Sequence, residues 1–135
     1  GTGKFLEVMA NRLNISMEDL NSLAKEHTEE VKISSMCTVF AESEVISLVG
    51  QGIERANIAY GILQSVAGKV VQMLGRLRDQ SPEVYLTGGL CEAAYFQEIL
   101  SEKIGKPIHS HKNARYAGAL GAAVLAKEQV EKGRM

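Results

Sequence analysis

The chain has few cysteines, no tryptophan and no long block of one charge, and these scarcities exclude several classes of protein. Its two cysteines, Cys37 and Cys91, form no CxxC or zinc-finger spacing. With 15 basic and 16 acidic residues the formal net charge is −1, so the sequence has no excess of positive charge that would favour binding of nucleic acid. No apolar run is long enough to cross a membrane, and the amino end lacks a signal-peptide pattern. We therefore expect a cytoplasmic protein without nucleic-acid or membrane partners.

The first thirty residues predict two short helices. An apolar stripe at helical spacing is formed by Phe5, Leu6, Met9 and Leu13. Asn14 ends this helix, and Ser16 with Asp19 three residues later has the spacing of a capping box. The 135 residues, 45% of them hydrophobic, can bury one core and leave little room for a second.

The middle of the chain predicts a short extended piece and two further helices. Thr38–Phe40 is the extended piece, and the helix after it carries Glu42 and Glu44 in its first turn, where the positive helix end favours acidic residues. Glycines interrupt the chain before a long helix over Ile53–Leu77, whose apolar residues recur mostly every four positions. Its glycines and alanines allow close packing.

The most informative stretch runs from Val84 to Leu90, VYLTGGL. A strand beginning at Pro82 enters two glycines and then a helix over Glu92–Lys103, a junction where backbone can approach a nucleotide. The same turn also occurs where a chain only needs a tight connection without a Cβ atom. The motif by itself therefore leaves both explanations open.

The last part of the chain completes an α/β order. Pro107–His109 is a second extended segment, and Arg115–Val130 is helical. Gly118 and Gly121 in this helix indicate close packing against a sheet, with proximity to a ligand as the alternative. The order strand, helix, strand, helix predicts a layered α/β domain, rich in helix and with a short sheet.

Five segments together resemble one family. They are GTGKFLEVMA, ISSMCTVFAESEVISL, IERANIAYGILQSVAGKV, VYLTGG and AGALGAAVLA. In this order they are similar to the activators of 2-hydroxyacyl-CoA dehydratases, which are ATPases of the BadF/BadG/BcrA/BcrD type with the fold of actin, sugar kinases and chaperone ATPases. The resemblance implies a homodimer that holds one [4Fe-4S] cluster between its subunits and couples ATP hydrolysis to one-electron transfer into the dehydratase. A reduced ferredoxin or flavodoxin is the implied electron donor.

The resemblance assigns a metal-binding role to Cys37. In the family pattern the cysteine of SSMC is a cluster ligand, and a second ligand precedes the GTG segment. Two cysteines from each of two subunits supply the four thiolates of a cubane cluster. Without the resemblance, Cys37 would be interpreted as a small buried hydrophobic residue. Cys91 has no ligand role in the family pattern and is interpreted as a small packing residue or a neighbour of a helix cap.

The expected nucleotide contacts come from three segments. An adenosine floor is predicted from Thr87, Gly88 and Gly89, of which the two glycines carry no Cβ atom. The opposite wall is predicted from Ile53, Glu54 and Asn57. Glu54 either accepts a hydrogen bond from a ribose hydroxyl or lies on a solvated face. Three alternatives stay open for Gly1, Thr2 and Gly3. They contact a phosphate, form a turn linked to the cluster loop, or form a plain turn at the start of a helix.

One feature of actin-like ATPases has no match in this sequence. No DxGxT-like acidic loop, which would bind phosphate and Mg²⁺, is present. We therefore expect residues 1–135 to be the carboxy-terminal part of the second lobe, inactive alone and belonging to an ATP-hydrolysing parent. The alternatives are a sugar or small-molecule kinase of the same superfamily, which gives no reason for the SSMC cysteine, and a non-catalytic oligomerisation domain.

Overall fold

A computed structural model of the chain describes residues 1–34, 37–76, 81 and 83–133. Within these ranges the order is helix, helix, helix, helix, strand, helix, strand, 3₁₀ helix and helix. The α-helices are α1 (Thr2–Arg12), α2 (Met17–Ala24), α3 (Thr38–Gly50), α4 (Arg55–Leu74), α5 (Ala94–Ile104) and α6 (Ala117–Glu131). The strands are β1 (Val84–Tyr85) and β2 (Ile108–His109), and the 3₁₀ helix is Lys112–Tyr116.

The two opening helices form where the sequence predicts them. The apolar stripe of α1 faces the core, with Leu6 and Met9 fully buried. Asn14 has a φ of +57°, a left-handed conformation that asparagine tolerates better than most residues and that ends the helix. Ser16 caps α2 by accepting a hydrogen bond from the Asp19 backbone N–H at 3.0 Å.

The segment Thr38–Phe40 is helical, so the prediction of an extended piece is wrong. These residues form the first turn of α3, where the aliphatic and aromatic side chains remain exposed and no strand lies alongside in the described part of the chain. The acidic residues accordingly fall in the second turn. Glu42 pairs with Arg12 of α1, and Glu44 accepts from the Ser34 backbone N–H at 3.1 Å. Glu42 and Glu44 therefore link α3 to α1 and to the segment before α3, and they do not lie at the positive end of the helix.

Helix α4 is the centre of the core. Its apolar residues Ile58, Ile62 and Leu63 are fully buried, and α1, α2, α3 and α5 all pack against it. The predicted helix over Ile53–Leu77 therefore exists, although it begins at Arg55, is described to Leu74, and Leu77 lies outside the described residues. No helix in the described ranges is long and apolar enough to cross a membrane.

Glycine at position 61 is required by a close approach between α4 and a neighbouring segment. A Cβ atom on Gly61 would lie 2.2 Å from the carbonyl oxygen of Val31. Real Cβ atoms do not approach backbone oxygen this closely, so any side chain here would force the segment away. The prediction that small residues of this helix permit close packing is confirmed at this position.

The two strands form a parallel pair, in which Val84 lies opposite Ile108 and Tyr85 opposite His109. The backbone N–H of Leu86 extends the pairing by donating to the His109 carbonyl at 2.8 Å. Both predicted extended segments are therefore strands, shorter than expected, and Pro82 lies outside the described residues. Helix α5 begins at Ala94, two residues later than predicted.

Helix α6 differs from the other α-helices because no residue in it is buried within the described structure. A Cβ atom on Gly118 or on Gly121 would meet nothing within 4 Å. The prediction that these glycines permit close packing against the sheet is therefore wrong for this chain. No described residue packs closely against either glycine.

Candidate functional site

The turn Thr87–Gly89 leaves β1 at its carboxyl end, the edge at which parallel α/β sheets bind ligands. Gly88 has a φ of +90°, a conformation that a side chain would strain. Its backbone N–H donates to the Ala114 carbonyl at 3.0 Å, and its carbonyl accepts from the Cys91 N–H at 3.1 Å. These two hydrogen bonds fix the conformation of the turn, which lies beside a groove.

The groove lies between this turn and α2 and has a volume of about 700 Å³. That volume is within the range of small-molecule sites. Its lining from α2 and the residues after it is Met17, Glu18, Asn21, Ser22, Lys25 and Glu26. The facing side consists of Gly89, Leu90, Glu92, Ala93, Ala94, Tyr95 and Arg115. Of the predicted floor residues, Gly89 therefore lines the groove, and Thr87 and Gly88 are adjacent to it in the turn.

The charged groups of the groove are three carboxylates and two cations. The carboxylates are Glu18, Glu26 and Glu92, and the cations are Lys25 and Arg115. Arg115 donates to Glu92 at 2.7 Å, and the nearby carboxylate raises the pKa of Arg115 above its ordinary value. Lys25 lies over the ring of Tyr95, with Nζ 5.6 Å from its centre. The groove therefore has no excess of positive charge.

Tyr95 gives this groove an aromatic surface. Burial, followed by repulsion from neighbouring Tyr60, Glu102 and Glu98, raises the pKa of its phenol above the ordinary value. The hydroxyl is therefore neutral at physiological pH. Sequence reasoning missed Tyr95, Lys25 and Arg115, because no short-range pattern indicates that α2 faces the turn.

The residues predicted as the opposite wall lie elsewhere. None of Ile53, Glu54 and Asn57 lines the groove beside Gly89. Glu54 is exposed at the start of α4. Asn57 is buried, and its Oδ1 accepts from the backbone N–H groups of Thr28 at 2.9 Å and Glu29 at 3.1 Å. This pairing gives Asn57 a structural role, and the nucleotide contacts of the three residues stay predictions.

A second cavity, of about 360 Å³, brings the GTG segment to the start of α3. Gly1 and Thr2 line it from α1, and Thr38, which follows Cys37, lines it from α3. Lys69 of α4 supplies a cation to the same cavity, whereas Gly3 is exposed outside its lining. Two segments that are separated in the sequence are therefore neighbours in the fold.

Cys37 is exposed and occupies the N-cap position of α3. Its thiol makes no capping hydrogen bond. The alternative of a buried small hydrophobic residue applies instead to Cys91, which is 3% exposed. Among the described residues, no group of three or more histidine, cysteine, aspartate or glutamate side chains could hold a metal ion.

Comparison with known proteins decides the family. The model of the BadF/BadG/BcrA/BcrD ATPase family matches residues 1–126. The chain belongs to this family. The match covers both cavities and every described helix as far as the middle of α6.

Curated and solved members of the family are similar over nearly the whole chain. The (R)-2-hydroxyglutaryl-CoA dehydratase activating ATPase of Acidaminococcus fermentans is 42% identical over 98% of this chain and 50% of its own length. The crystal structure of that dehydratase's component A superposes with a TM-score of 0.83 over 91% of this chain and 47% of its own. The activator of 2-hydroxyisocaproyl-CoA dehydratase from Clostridium difficile, with bound ADPNP, is 34% identical and also has a TM-score of 0.83, over 98% of this chain and 49% of its own.

These comparisons settle the fold class. The prediction of a helix-rich α/β fold with a short sheet, of the actin-like type, is confirmed. The chain spans about half the length of the relatives that it matches.

Proposed function

We propose that this chain is the carboxy-terminal part of the second lobe of an ATPase that activates a 2-hydroxyacyl-CoA dehydratase by one-electron transfer. The observation that carries the proposal is its likeness, at 34% identity over 98% of the chain, to an activator with bound ADPNP. A second activator, for a different hydroxyacyl-CoA dehydratase, is 42% identical. The dehydratase is the proposed electron acceptor, and a reduced ferredoxin or flavodoxin is the proposed donor.

The groove beside Gly89 is the proposed site for the base and ribose of ATP or ADP. Its volume of about 700 Å³ suits such a ligand, and its facing side presents Tyr95, Leu90 and two alanines as an apolar surface. Because its three carboxylates outnumber its two cations, the groove does not attract a triphosphate. We therefore place only the uncharged end of the nucleotide here, with the phosphates outside the groove. Mg²⁺ would accompany the phosphates and be held by acidic loops that this sequence does not contain.

Cys37 is the proposed ligand of a [4Fe-4S] cluster shared between two copies of the complete protein. The fit rests on its exposed thiol at a helix start and on the cavity that joins Thr38 to Gly1 and Thr2. This neighbourhood agrees with the resemblance, which puts a second cysteine just before the GTG segment. When bound, the cluster supplies the electron that is transferred. Cys37 would hold it close to the packing of α1 against α3, where a rotation of the subunits changes the geometry.

The cluster proposal is tested by Cys37→Ser in the complete protein. Loss of the cluster is expected, because serine does not supply the thiolate that iron prefers. Iron and sulphide analysis after anaerobic reconstitution measures it. Cys91→Ala, which changes the buried cysteine, is the matched control and should retain the cluster. A Cys37→Ser protein with a full complement of iron would contradict the assignment.

The nucleotide proposal is tested by Gly88→Val in the same protein. ADP binding should weaken by about tenfold or more, because the side chain strains the positive φ and moves the turn beside the groove. Gly52→Val is the control, since Gly52 has a φ of +78° and lies away from the groove lining. Calorimetric titration of both folded variants measures the difference. Equal affinities would return the turn to a purely structural role, and sugar-dependent ADP release would favour the kinase alternative.

A further inference from the structure

Asn21 has a buried hydrogen-bond acceptor without a partner, and this residue lines the groove beside Gly89. Among the side chains that the structure describes, its Oδ1 is the buried polar atom for which no partner is found. Its exposed area is below 1 Å², so water does not satisfy it. Buried acceptors are nearly always paired in folded proteins, and an exception at a binding groove calls for a physical reason.

The orientation of the Asn21 amide is determined by its other end. The amide nitrogen donates to the carbonyl oxygen of Met17 at 3.1 Å, one turn earlier in α2. Rotating the amide by half a turn would place two acceptors against each other and lose this bond. The orphaned atom is therefore the oxygen, which can only accept. A ligand that satisfies it must carry an N–H or O–H group.

The facing side of the groove restricts the kind of ligand. Leu90, Ala93 and Tyr95 provide an apolar and aromatic surface that suits a planar ring. Lys25 lies one turn beyond Asn21 on the same face of α2, is exposed, and lines the same groove. Because the Asn21 oxygen has almost no exposed area, a ring edge reaches it only when a neighbouring side chain moves, and Lys25 is a flexible, exposed side chain one turn away.

We infer that Asn21 selects the nucleobase by accepting a hydrogen bond from the exocyclic amino group of adenine. This inference rests on the proposed nucleotide site and adds a specificity-determining residue to it. A base without a donor at that position leaves the acceptor unpaired, and a site built around a buried polar group rejects such a ligand. Adenine fits because its 6-amino group is a donor at the edge of the ring.

The test compares ADP with purine riboside diphosphate, in which hydrogen replaces the 6-amino group. The complete protein should bind ADP about tenfold more tightly, the amount expected for one hydrogen bond to a buried acceptor. In Asn21→Leu the ratio should fall to about one, mainly because ADP binding weakens.

The control is Asn11→Leu, the same substitution at an exposed position of α1 outside the groove, which should leave the ratio unchanged. Calorimetry gives the affinities, and thermal melting shows that each variant is folded. A preference for ADP that survives Asn21→Leu overturns the role of Asn21 and leaves the nucleotide site standing. A complete protein that binds neither nucleotide overturns both the site and this inference.

Discussion

Helices α4 and α6 are similar in composition and opposite in environment. Both are rich in alanine, glycine and aliphatic residues. Ten residues of α4 are buried, whereas within the described structure α6 has none and exposes Leu120, Val124 and Leu125. The difference shows that composition alone does not decide burial. A helix is buried when its apolar positions coincide with those of neighbouring helices, and for α4 the neighbours come from both before and after it in the chain.

The largest effect is expected when one leucine in each helix is shortened to alanine. Leu63→Ala in α4 should lower the free energy of unfolding of the chain by about 3 kcal/mol, because it removes a fully buried side chain and leaves a cavity. Leu125→Ala, at a position 60% exposed in α6, should change it by less than about 0.5 kcal/mol. Urea unfolding followed by circular dichroism measures both. Similar losses would show that α6 is covered in solution.

The second test replaces one glycine in each of these two helices with alanine. Gly61→Ala should lower the free energy of unfolding by about 2 kcal/mol, because its Cβ atom would collide with the Val31 carbonyl oxygen. Gly121→Ala in α6 meets no atom within 4 Å and should instead raise helix stability by about 1 kcal/mol through helix propensity. Opposite signs are therefore expected from one chemical change. The result would contradict the structure if both variants were stabilised.

The smallest expected effect concerns α2, which packs on α4 and forms one wall of the groove. Ser16→Ala should cost about 1 kcal/mol, because the Asp19 N–H loses its capping acceptor. Ser22→Ala is the control, since Ser22 is exposed and its hydroxyl donates to the Glu18 carbonyl within the same helix. It should change stability by less than about 0.5 kcal/mol. Thermal unfolding of the two variants would reveal whether the cap or the packing against α4 dominates the stability of α2.

Sequence patterns predicted the elements whose causes are local. The Ser16 cap depends on an atom three residues away, and the end of α1 depends on the backbone of Asn14 itself. Patterns failed at Thr38–Phe40, because β-branched and aromatic residues are typical of strands but are also tolerated in an exposed first helical turn. An extended conformation of this segment gains no strand partner, since β1 and β2 pair with each other.

The candidate site was predictable only in part, for the same reason. The turn at Gly88 could be recognised because a positive φ after a strand has a clear requirement for glycine. The facing helix could not, because α2 and the turn are distant in the sequence and meet only when both pack around α4 and α5. Asn57, predicted at the site, instead satisfies two backbone N–H groups in the core.

The sequence by itself determined the glycine turn, the end of α1 and the cap of α2, since each depends on residue types within a few positions of one another. It also determined the family, through five segments that occur in a fixed order along the chain. Only the tertiary structure decided that Cys37 is exposed, that Asn21 keeps an unpaired acceptor, and that α6 is left without a buried face. Burial is a property of the whole packed chain, because a side chain is removed from water only by neighbours that the sequence places far away.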